Sequence, residues 1–210
     1  MSNKIEDIAA EVNKCTKCPL HEGRTNAVPG EGSPKAEILF IGEGPGQKED
    51  ELGRPFVGAA GKFLDQLIES IGLKRKDVFI ANVVKCRPPG NRDPLPEEAM
   101  TCYPYLEAQV KAIKPKLIVT LGRHSMERFL PGFKISQVCG KPKRRNIPGL
   151  GTYVFYPVFH PAAALHNGSF REPLIKDFKR IPAVLKKIDE LSDKIPQFKE
   201  DESAQSSLEV

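Results

Sequence analysis

Residues 37–50 read EILFIGEGPGQKED and carry the clearest structural signal in the chain. The apolar run ILFI, residues 38–41, contains no alternating polar residues, which suits a strand buried on both faces of a parallel sheet. The glycines of GEGPG follow at once. They cannot extend a strand, and without a Cβ atom they let backbone N–H groups approach a ligand. Ligands of open α/β sheets bind beyond the carboxyl ends of strands, so this segment predicts a binding site.

The glycine-rich segment differs from two phosphate-binding motifs. No Lys-Ser or Lys-Thr pair follows the glycines, as a P-loop requires, and the spacing G-x-G-x-G differs from the dinucleotide fingerprint G-x-G-x-x-G. Acidic residues are concentrated here instead, at Glu43, Glu49, Asp50 and Glu51. Carboxylates beside the glycines favour a neutral or electron-poor ligand over a free phosphate. An ordinary strand-to-helix turn is the alternative for this segment taken alone.

Three further apolar runs predict strands, at residues 78–84, 116–121 and 152–159. The helical spacing of other apolar residues predicts helices at residues 4–13, 61–72, 96–113, 125–130 and 174–188, the last with a kink at Pro182. Strands that alternate with helices tend to pair in parallel. The predicted fold is therefore α/β, with three α/β/α layers around a central, mostly parallel four-stranded sheet.

Length and composition indicate one domain at residues 1–192, followed by an acidic tail at residues 193–210 that is expected to be disordered. No apolar run is long enough to span a membrane, and the first residues lack the apolar centre of a secretory signal, so a cytoplasmic protein is predicted. The tail carries two lysines against five acidic residues, a net −3, which leaves about +8 for the domain from a total of +5. A basic body mildly favours a polyanionic partner.

The cysteines suggest metal or redox chemistry. Cys15 and Cys18 form a C-x-x-C pair, and in a cytosolic chain such a pair is more typical of a metal or redox site than of a structural disulfide. Cys86 and Cys102 complete a candidate set of four. Zinc ribbons pair two C-x-x-C knuckles and this chain has one, so zinc is less favoured, although His21 could complete a site. An iron–sulfur cluster tolerates scattered cysteine ligands. The fifth cysteine, Cys139, is most simply a free thiol.

Polar side chains are predicted at the carboxyl ends of three strands. Glu43 lies in the glycine segment, Asn82 lies near the end of the second apolar run, and His160 directly follows the fourth. His160 alone is more often structural, and the amide of Asn82 could be satisfied by neighbouring backbone or by a ligand. Because the carboxyl ends of parallel strands lie at one edge of a sheet, the three together predict an active site there.

Four motifs extend this pattern: GEGPG followed by ED in residues 42–50, RPFVGAAG at 54–61, NVVKCR at 82–87 and HPAA at 160–163. Together they resemble the family 4 uracil-DNA glycosylases, iron–sulfur enzymes of archaea and thermophilic bacteria, over roughly residues 15–188. The resemblance implies the fold of that family and DNA containing uracil as the substrate. The implied enzyme flips deoxyuridine out of DNA and hydrolyses its N-glycosidic bond, which leaves an abasic site.

The resemblance assigns catalytic roles to His160, Asn82 and Glu43. His160 is expected to donate a hydrogen bond to uracil O2, where negative charge grows as the base leaves. Glu43 is expected to stabilise the oxocarbenium-like sugar or to orient the attacking water.

The resemblance also implies how the base is bound. Phe56 is expected to stack on the uracil ring, and Asn82 to donate to O4 and accept from N3–H. Gly44 is expected to provide a backbone contact. Glu49 is expected to stand near C5 and exclude the methyl group of thymine.

Further residues are expected to hold the DNA and the cofactor. The expected phosphate contacts are Arg87, Arg92, Lys143, Arg144 and Arg145, and Leu165 is expected to fill the gap left by the flipped base. The family's 4Fe-4S cluster is expected on Cys15, Cys18, Cys86 and Cys102.

Three rival interpretations remain at this point. A related glycosylase that acts on other deaminated or mismatched bases is the nearest. An iron–sulfur electron-transfer protein would explain the cysteines but not Asn82 or His160, and a non-catalytic DNA-binding module would explain only the charge. A monomer is expected. A sliding clamp or other repair protein is a conceivable partner, but no residue pattern points to one.

Overall fold

The structure, a computed structural model, describes residues 4–192, so the predicted acidic tail lies outside the described residues. Within them one mixed sheet of six strands forms the centre of the fold. The strands are Glu31–Gly32 (β1), Ile38–Gly42 (β2), Phe79–Asn82 (β3), Leu117–Leu121 (β4), Lys143–Ile147 (β5) and Gly151–Val158 (β6).

Nine α-helices connect and cover these strands in the described part of the chain. They are Ile5–Asn13 (α1), Gln47–Leu52 (α2), Ala59–Glu69 (α3), Pro96–Ile113 (α4), Arg123–Phe129 (α5), Ile135–Val138 (α6), Pro161–His166 (α7), Arg171–Lys179 (α8) and Ile181–Ser192 (α9). Among the described helices, none is both long and apolar enough to cross a membrane.

The sheet has the strand order β1-β3-β2-β4-β6-β5. The four inner strands are parallel, and their registers pair Gly42 with Asn82, Ile38 with Leu117, and Leu117 with Val154. The predicted α/β fold and mostly parallel sheet are thus confirmed. Because the inner strands run the same way, Gly42, Asn82 and the residues after β4 and β6 meet at one edge of the sheet.

Helices cover both faces of the sheet and give the three predicted layers. On one face α1, α4 and α5 contribute to a core that includes Leu39 and Ile41 of β2. On the other face α3, α8 and the start of α9 share a core with Ile38 and Phe40. Alternate residues of β2 therefore enter opposite halves of the core, which explains why its sequence has no polar positions.

The two outer strands were not predicted. The four predicted strands form the parallel core, but β1 and β5 pair antiparallel at its two edges. Strand β5 contains Lys143, Arg144 and Arg145, which the sequence placed in a loop. The sequence KRRNI shows no apolar pattern because charged residues are common on edge strands, where they discourage pairing with another chain.

The helix predicted at residues 174–188 is two helices. Helix α8 ends at Lys179, and α9 begins at Ile181. Pro182 stands in the first turn of α9, where a missing backbone N–H is tolerated, but it cannot supply the hydrogen bond that a continuous helix would need there. The predicted kink is therefore a break between two helices.

Candidate active site

An open cleft of about 440 Å³ lies at the carboxyl ends of the inner strands. Its walls come from the glycine segment after β2, the segment before α3, the end of β3, residues 88–94 and the start of α7. The lining includes every residue predicted to catalyse or bind the base: Glu43, Gly44, Glu49, Phe56, Asn82 and His160. The convergence predicted from the strand ends is therefore present in the structure.

Gly42 allows the two main base-binding candidates to lie side by side. A Cβ atom on Gly42 would lie 2.4 Å from Oδ1 of Asn82 and 2.6 Å from Cζ of Phe56. Both distances are far below van der Waals contact, so any larger residue would displace the amide and the ring. Gly42, the last residue of β2, therefore leaves the space that the Asn82 amide and the Phe56 ring occupy.

Asn82 presents a buried acceptor with no partner of its own. Its side chain is 1 % exposed, and among the described residues its Oδ1 has no hydrogen-bond partner. The backbone carbonyl of Asn82 accepts a hydrogen bond of 2.9 Å from Nζ of the buried Lys85. Because buried polar atoms are almost always satisfied, the free Oδ1 at the cleft is an acceptor available to a ligand or a water molecule.

His160 is a neutral hydrogen-bond donor. It precedes α7, and its Nδ1 accepts a hydrogen bond of 3.1 Å from the backbone N–H of Ala162. Burial lowers the pKa of His160 to about 4, although the charge of Glu49 opposes this shift. The ring is therefore uncharged at neutral pH, and because Nδ1 accepts, the proton lies on Nε2.

Phe56 lies against His160 and has an unusual backbone conformation. The two ring centroids are 5.5 Å apart and the ring planes are inclined by 29°. The φ angle of Phe56 is +51°, in the left-handed region that non-glycine residues rarely adopt. On the cleft side, Oε1 of Glu49 accepts hydrogen bonds from the backbone N–H groups of Val57 at 2.8 Å and Gly58 at 2.9 Å. Glu49 therefore anchors the segment that carries Phe56.

Glu43 belongs to a polar cluster that the sequence analysis missed. Its Oε2 lies 3.9 Å from Nε2 of His124, and the same nitrogen lies 3.1 Å from Oδ2 of Asp93. The guanidinium of Arg123 lies 2.9 Å from that nitrogen and brings positive charge to the cluster. Burial raises the pKa of the Glu43 carboxyl, because the charged form loses its hydration. His124 could have been found from sequence, since it follows the carboxyl end of β4.

Comparison with known proteins identifies the family. The uracil DNA glycosylase superfamily matches residues 29–181. This chain belongs to that superfamily. Its sequence is 52 % identical over 190 residues to a Type-4 uracil-DNA glycosylase of Sulfurisphaera tokodaii, covering 85 % of this chain and 84 % of the relative.

Two further members of the superfamily give the same picture. A Type-4 uracil-DNA glycosylase of Saccharolobus solfataricus is 51 % identical, with 87 % of both chains covered. One of Archaeoglobus fulgidus is 48 % identical, covering 84 % of this chain and 91 % of the relative. The likeness therefore extends over most of the chain and over most of each of these superfamily members.

Two predicted DNA contacts near the cleft of this superfamily member already have protein partners. Arg92 forms two hydrogen bonds with the carboxylate of Glu98, at 2.7 and 2.9 Å, and this pairing lowers the pKa of the buried carboxyl. The same carboxylate accepts from the backbone N–H of Leu95 at the start of α4. Arg87 donates to Oδ1 of Asn91 at 2.7 Å. In this structure Arg92 anchors residues 88–94 to α4, a structural role that was not predicted.

The other predicted DNA contacts lie outside the cleft lining. Leu165 is in α7 and is 45 % exposed, as a wedge residue would need to be. Strand β5 carries Lys143, Arg144 and Arg145 and runs away from the edge of the sheet where the cleft lies. Lys143 pairs with Phe155, whereas Arg145 pairs with Tyr153, which is farther from the carboxyl end of β6. Their predicted contact with the DNA around the flipped base therefore gains no support from the cleft geometry.

The four candidate cysteine ligands meet in a second, small pocket. Cys15 and Cys18 follow α1, Cys86 follows β3, and Cys102 lies in α4. The sulfur of Cys86 accepts from Nη1 of Arg24 at 3.1 Å, and that of Cys102 accepts from the backbone N–H of Lys85 at 3.3 Å. Cys139 lies elsewhere, and its thiol donates to Asp177 at 3.3 Å.

The cysteine sulfurs of the described residues are not grouped as closely as the ligands of one zinc ion. Tetrahedral zinc would hold its cysteine sulfurs about 3.8 Å apart, from Zn–S bonds of about 2.3 Å. Among the described residues, no three cysteine sulfurs lie within 4.8 Å of one another. In addition, Nδ1 of His21 lies 2.8 Å from the carbonyl oxygen of Cys18 and is engaged there. In the described residues the four cysteines therefore share one pocket but do not form a compact zinc arrangement.

Proposed function

We propose that this chain removes uracil from DNA by hydrolysing the N-glycosidic bond of a flipped deoxyuridine. The observation that carries the proposal is the buried, unpartnered Oδ1 of Asn82 beside an aromatic ring and a neutral histidine. The relatives named Type-4 uracil-DNA glycosylase support it, since they match most of the chain. A base inside a duplex cannot reach such a recessed site, so the nucleotide must leave the stack.

Asn82 would read the hydrogen-bonding edge of the base. With its Oδ1 facing N3–H and its NH₂ group facing O4, the amide matches uracil. Cytosine has an acceptor at N3 and a donor at N4, so both contacts would be mismatched. A buried pair of like groups costs about 1–3 kcal/mol for each unpaired atom, which separates uracil from a base present in large excess.

Phe56 and Glu49 would fix the position of the base. Phe56, 6 % exposed, offers one ring face as a stacking surface. The Glu49 carboxylate is held in place by two backbone N–H groups, and its Oε2 would lie 2.8 Å from a Cβ on Gly46. A fixed carboxylate between these segments is suited to exclude the C5 methyl group of thymine. Gly44 would contribute only backbone atoms.

His160 and Glu43 would stabilise opposite charges in the transition state. Nε2–H of His160 would donate to O2 of the departing uracil, where negative charge develops. Glu43 would face the sugar, which becomes cation-like, or would orient the water that attacks it. The neutral ring of His160 needs no counter-ion in the buried site.

Cys15, Cys18, Cys86 and Cys102 would hold a 4Fe-4S cluster, and their position around one pocket and the two N–H···S hydrogen bonds support this assignment. The cluster would tie the segment after α1 to α4 and to the segment after β3. Burial raises the pKa of the Cys102 thiol to about 11, and bound metal would supply the positive charge that a thiolate needs there. Its role in this proposal is structural.

The remaining assignments concern location and partners. Arg87, Arg92, Lys143, Arg144, Arg145 and Leu165 stay predicted DNA contacts. The division into a domain at residues 1–192 and a tail, the monomeric state and the cytoplasmic location also stay predictions. No residue of the described structure points to a sliding clamp or another repair protein.

The test is base release from oligonucleotides that each carry one lesion: uracil, hypoxanthine or mismatched thymine. Alkaline cleavage of the abasic product gives the rate, and Glu69→Gln, a change at the exposed end of α3 and outside the cleft lining, serves as a control variant. We expect rapid release of uracil and little release of the other bases. Equal release of hypoxanthine would indicate the related glycosylase, and no release from any strand by iron-loaded protein would contradict the proposal.

A further inference from the structure

The segment that carries Phe56 is held from behind by Arg75. Nη1 of Arg75 donates to the carbonyl oxygen of Phe56 at 3.1 Å, and Nη2 contacts the carbonyl oxygen of Pro55. Arg75 lies in the short 3₁₀ helix Arg75–Asp77 before β3 and is not part of the cleft lining. It therefore contacts the backbone of the stacking residue from the side away from the base.

The guanidinium of Arg75 is itself fixed. Nη1 lies 2.9 Å from Oδ1 of Asp65, and Nε lies 3.5 Å from Oε1 of Glu31. The side chain is only 18 % exposed. The planar guanidinium donates to two carbonyls and one carboxylate and forms a longer ion pair with a second carboxylate, which the single ammonium of lysine cannot do in the same geometry.

Phe56 needs such support because its backbone conformation is unfavourable. A left-handed φ at a bulky residue persists only where the surroundings impose it. A Cβ on Gly61 would lie 1.9 Å from the carbonyl oxygen of Phe56, so α3 also packs directly on this peptide. Glu49 holds the next two N–H groups from the cleft side, and Arg75 holds the two carbonyls from the opposite side.

We propose that Arg75 is a positioning residue for base excision, which acts only through Phe56 and never contacts the substrate. By holding the carbonyls of residues 55 and 56, it keeps the Phe56 ring in the plane that stacks on the base and on His160. This inference rests on the proposed function for its catalytic consequence. The immobilisation of the Phe56 ring by Arg75 does not depend on the proposed function.

The catalytic part is tested by a double-mutant cycle between Arg75→Met and Phe56→Ala. We expect Arg75→Met alone to slow single-turnover uracil release by up to about 10²-fold, the effect of a small misplacement remote from the chemistry. In the Phe56→Ala background the same change should have no further effect beyond about twofold, the usual limit of additivity. A loss of equal size in both backgrounds would overturn the proposal.

Arg54→Met is the matched control. Arg54 forms two hydrogen bonds with the same Glu31, at 2.8 and 2.9 Å. Within the described residues its side chain donates no hydrogen bond to the carbonyl oxygen of Pro55 or Phe56. We expect it to leave the rate within about twofold of wild type. If Arg75→Met does not fold, as thermal melting will show, Arg75→Lys replaces it, and its smaller loss must again vanish with Phe56→Ala.

A second measurement is independent of catalysis. The chain contains no tryptophan, so Phe56→Trp introduces a single indole whose motion time-resolved fluorescence anisotropy can follow. We expect the indole to be immobile in Phe56→Trp alone and in Phe56→Trp combined with Arg54→Met. It should be mobile in Phe56→Trp combined with Arg75→Met. An indole that stays equally rigid without Arg75 would refute the clamp. If wild-type protein released no uracil while the indole was freed by Arg75→Met, only the proposed function would fail.

Discussion

The ring of Phe56 lies on the imidazole of His160, with 5.5 Å between their centroids. One residue precedes α3 and the other follows β6, so the contact joins the stacking surface to the donor that would act on the leaving base. A base that stacks on Phe56 is thereby also positioned for the hydrogen bond from His160, so the same contact serves binding and catalysis.

Phe56→Ala should therefore reduce uracil release strongly. Loss of one aromatic stacking surface removes about 1–3 kcal/mol per base, or roughly 5- to 150-fold in kcat/KM. The measurement is steady-state release from single-stranded uracil oligonucleotides. Tyr103→Ala is the control, since Tyr103 is a partly buried ring of α4 that lies against Arg128 and outside the cleft lining. Wild-type kcat/KM in Phe56→Ala would show that the ring is only part of the core.

Asn82→Asp should change which base is accepted. Replacing the NH₂ group by an acceptor removes the contact with uracil O4 and gives the N4 donor of cytosine a partner. The second carboxylate oxygen can meet cytosine N3 only if one of the two groups is protonated. We expect a large loss of uracil release and a weak, pH-dependent release of unpaired cytosine, measured across a range of pH. Unchanged uracil release would mean that Asn82 does not read the base.

His160→Ala should slow the chemical step and leave DNA affinity nearly unchanged. A donor that meets developing negative charge stabilises the transition state more than the bound ground state. Its loss should lower the single-turnover rate by about 10²-fold or more. Binding to uracil-containing DNA, followed by fluorescence polarisation, should stay close to wild type. A variant that loses DNA binding but cleaves normally once saturated would contradict this role.

The depressed pKa of His160 also predicts how stability depends on pH. The ring is neutral in the folded protein down to about pH 4, but it binds a proton near its ordinary pKa of 6.5 when the chain unfolds. Between these values the unfolded state holds more protons, so the free energy of unfolding rises with pH in this window and is lost as the pH falls. His160→Gln should flatten that slope, as measured by urea denaturation at each pH. An identical slope in wild type and variant would place the titration elsewhere.

Purified protein should contain iron and acid-labile sulfide if the four converging cysteines hold a cluster. Cys102→Ser removes a ligand in α4 and should lower the iron content and the brown absorbance. Cys139→Ser is the matched control, because Cys139 bonds to Asp177 and lies outside the pocket. Stoichiometric zinc without sulfide would exclude the cluster.

The parallel core and the cleft residues were predictable for physical reasons. Strands buried on both faces leave continuous apolar runs, and polar residues at their carboxyl ends are drawn to one edge by the topology alone. Glu43, Asn82 and His160 follow from these two rules. The edge strand β5 could not be predicted from these rules, because a run of charged residues such as KRRNI is equally typical of a loop.

The supporting residues of the site could not be predicted in the same way. The contacts of Arg75 with Phe56 and of Arg92 with Glu98 depend on side-chain geometry. Nothing in the sequence around Arg75 distinguishes it from the lysines nearby. The basic, proline-rich segment around Arg92 predicts a phosphate contact, and only the structure shows that the buried carboxylate of Glu98 accepts its hydrogen bonds.

Gly42 restricts how this cleft can change. Its missing Cβ is the space that Asn82 and Phe56 occupy, so even alanine there would displace both groups at once. Substrate preference in this scaffold can therefore evolve, or be redesigned, by altering side chains that line the cleft, such as Asn82 or Glu49. Substitution of Gly42 cannot change the preference gradually, because even alanine, the smallest replacement, would displace both base-binding side chains.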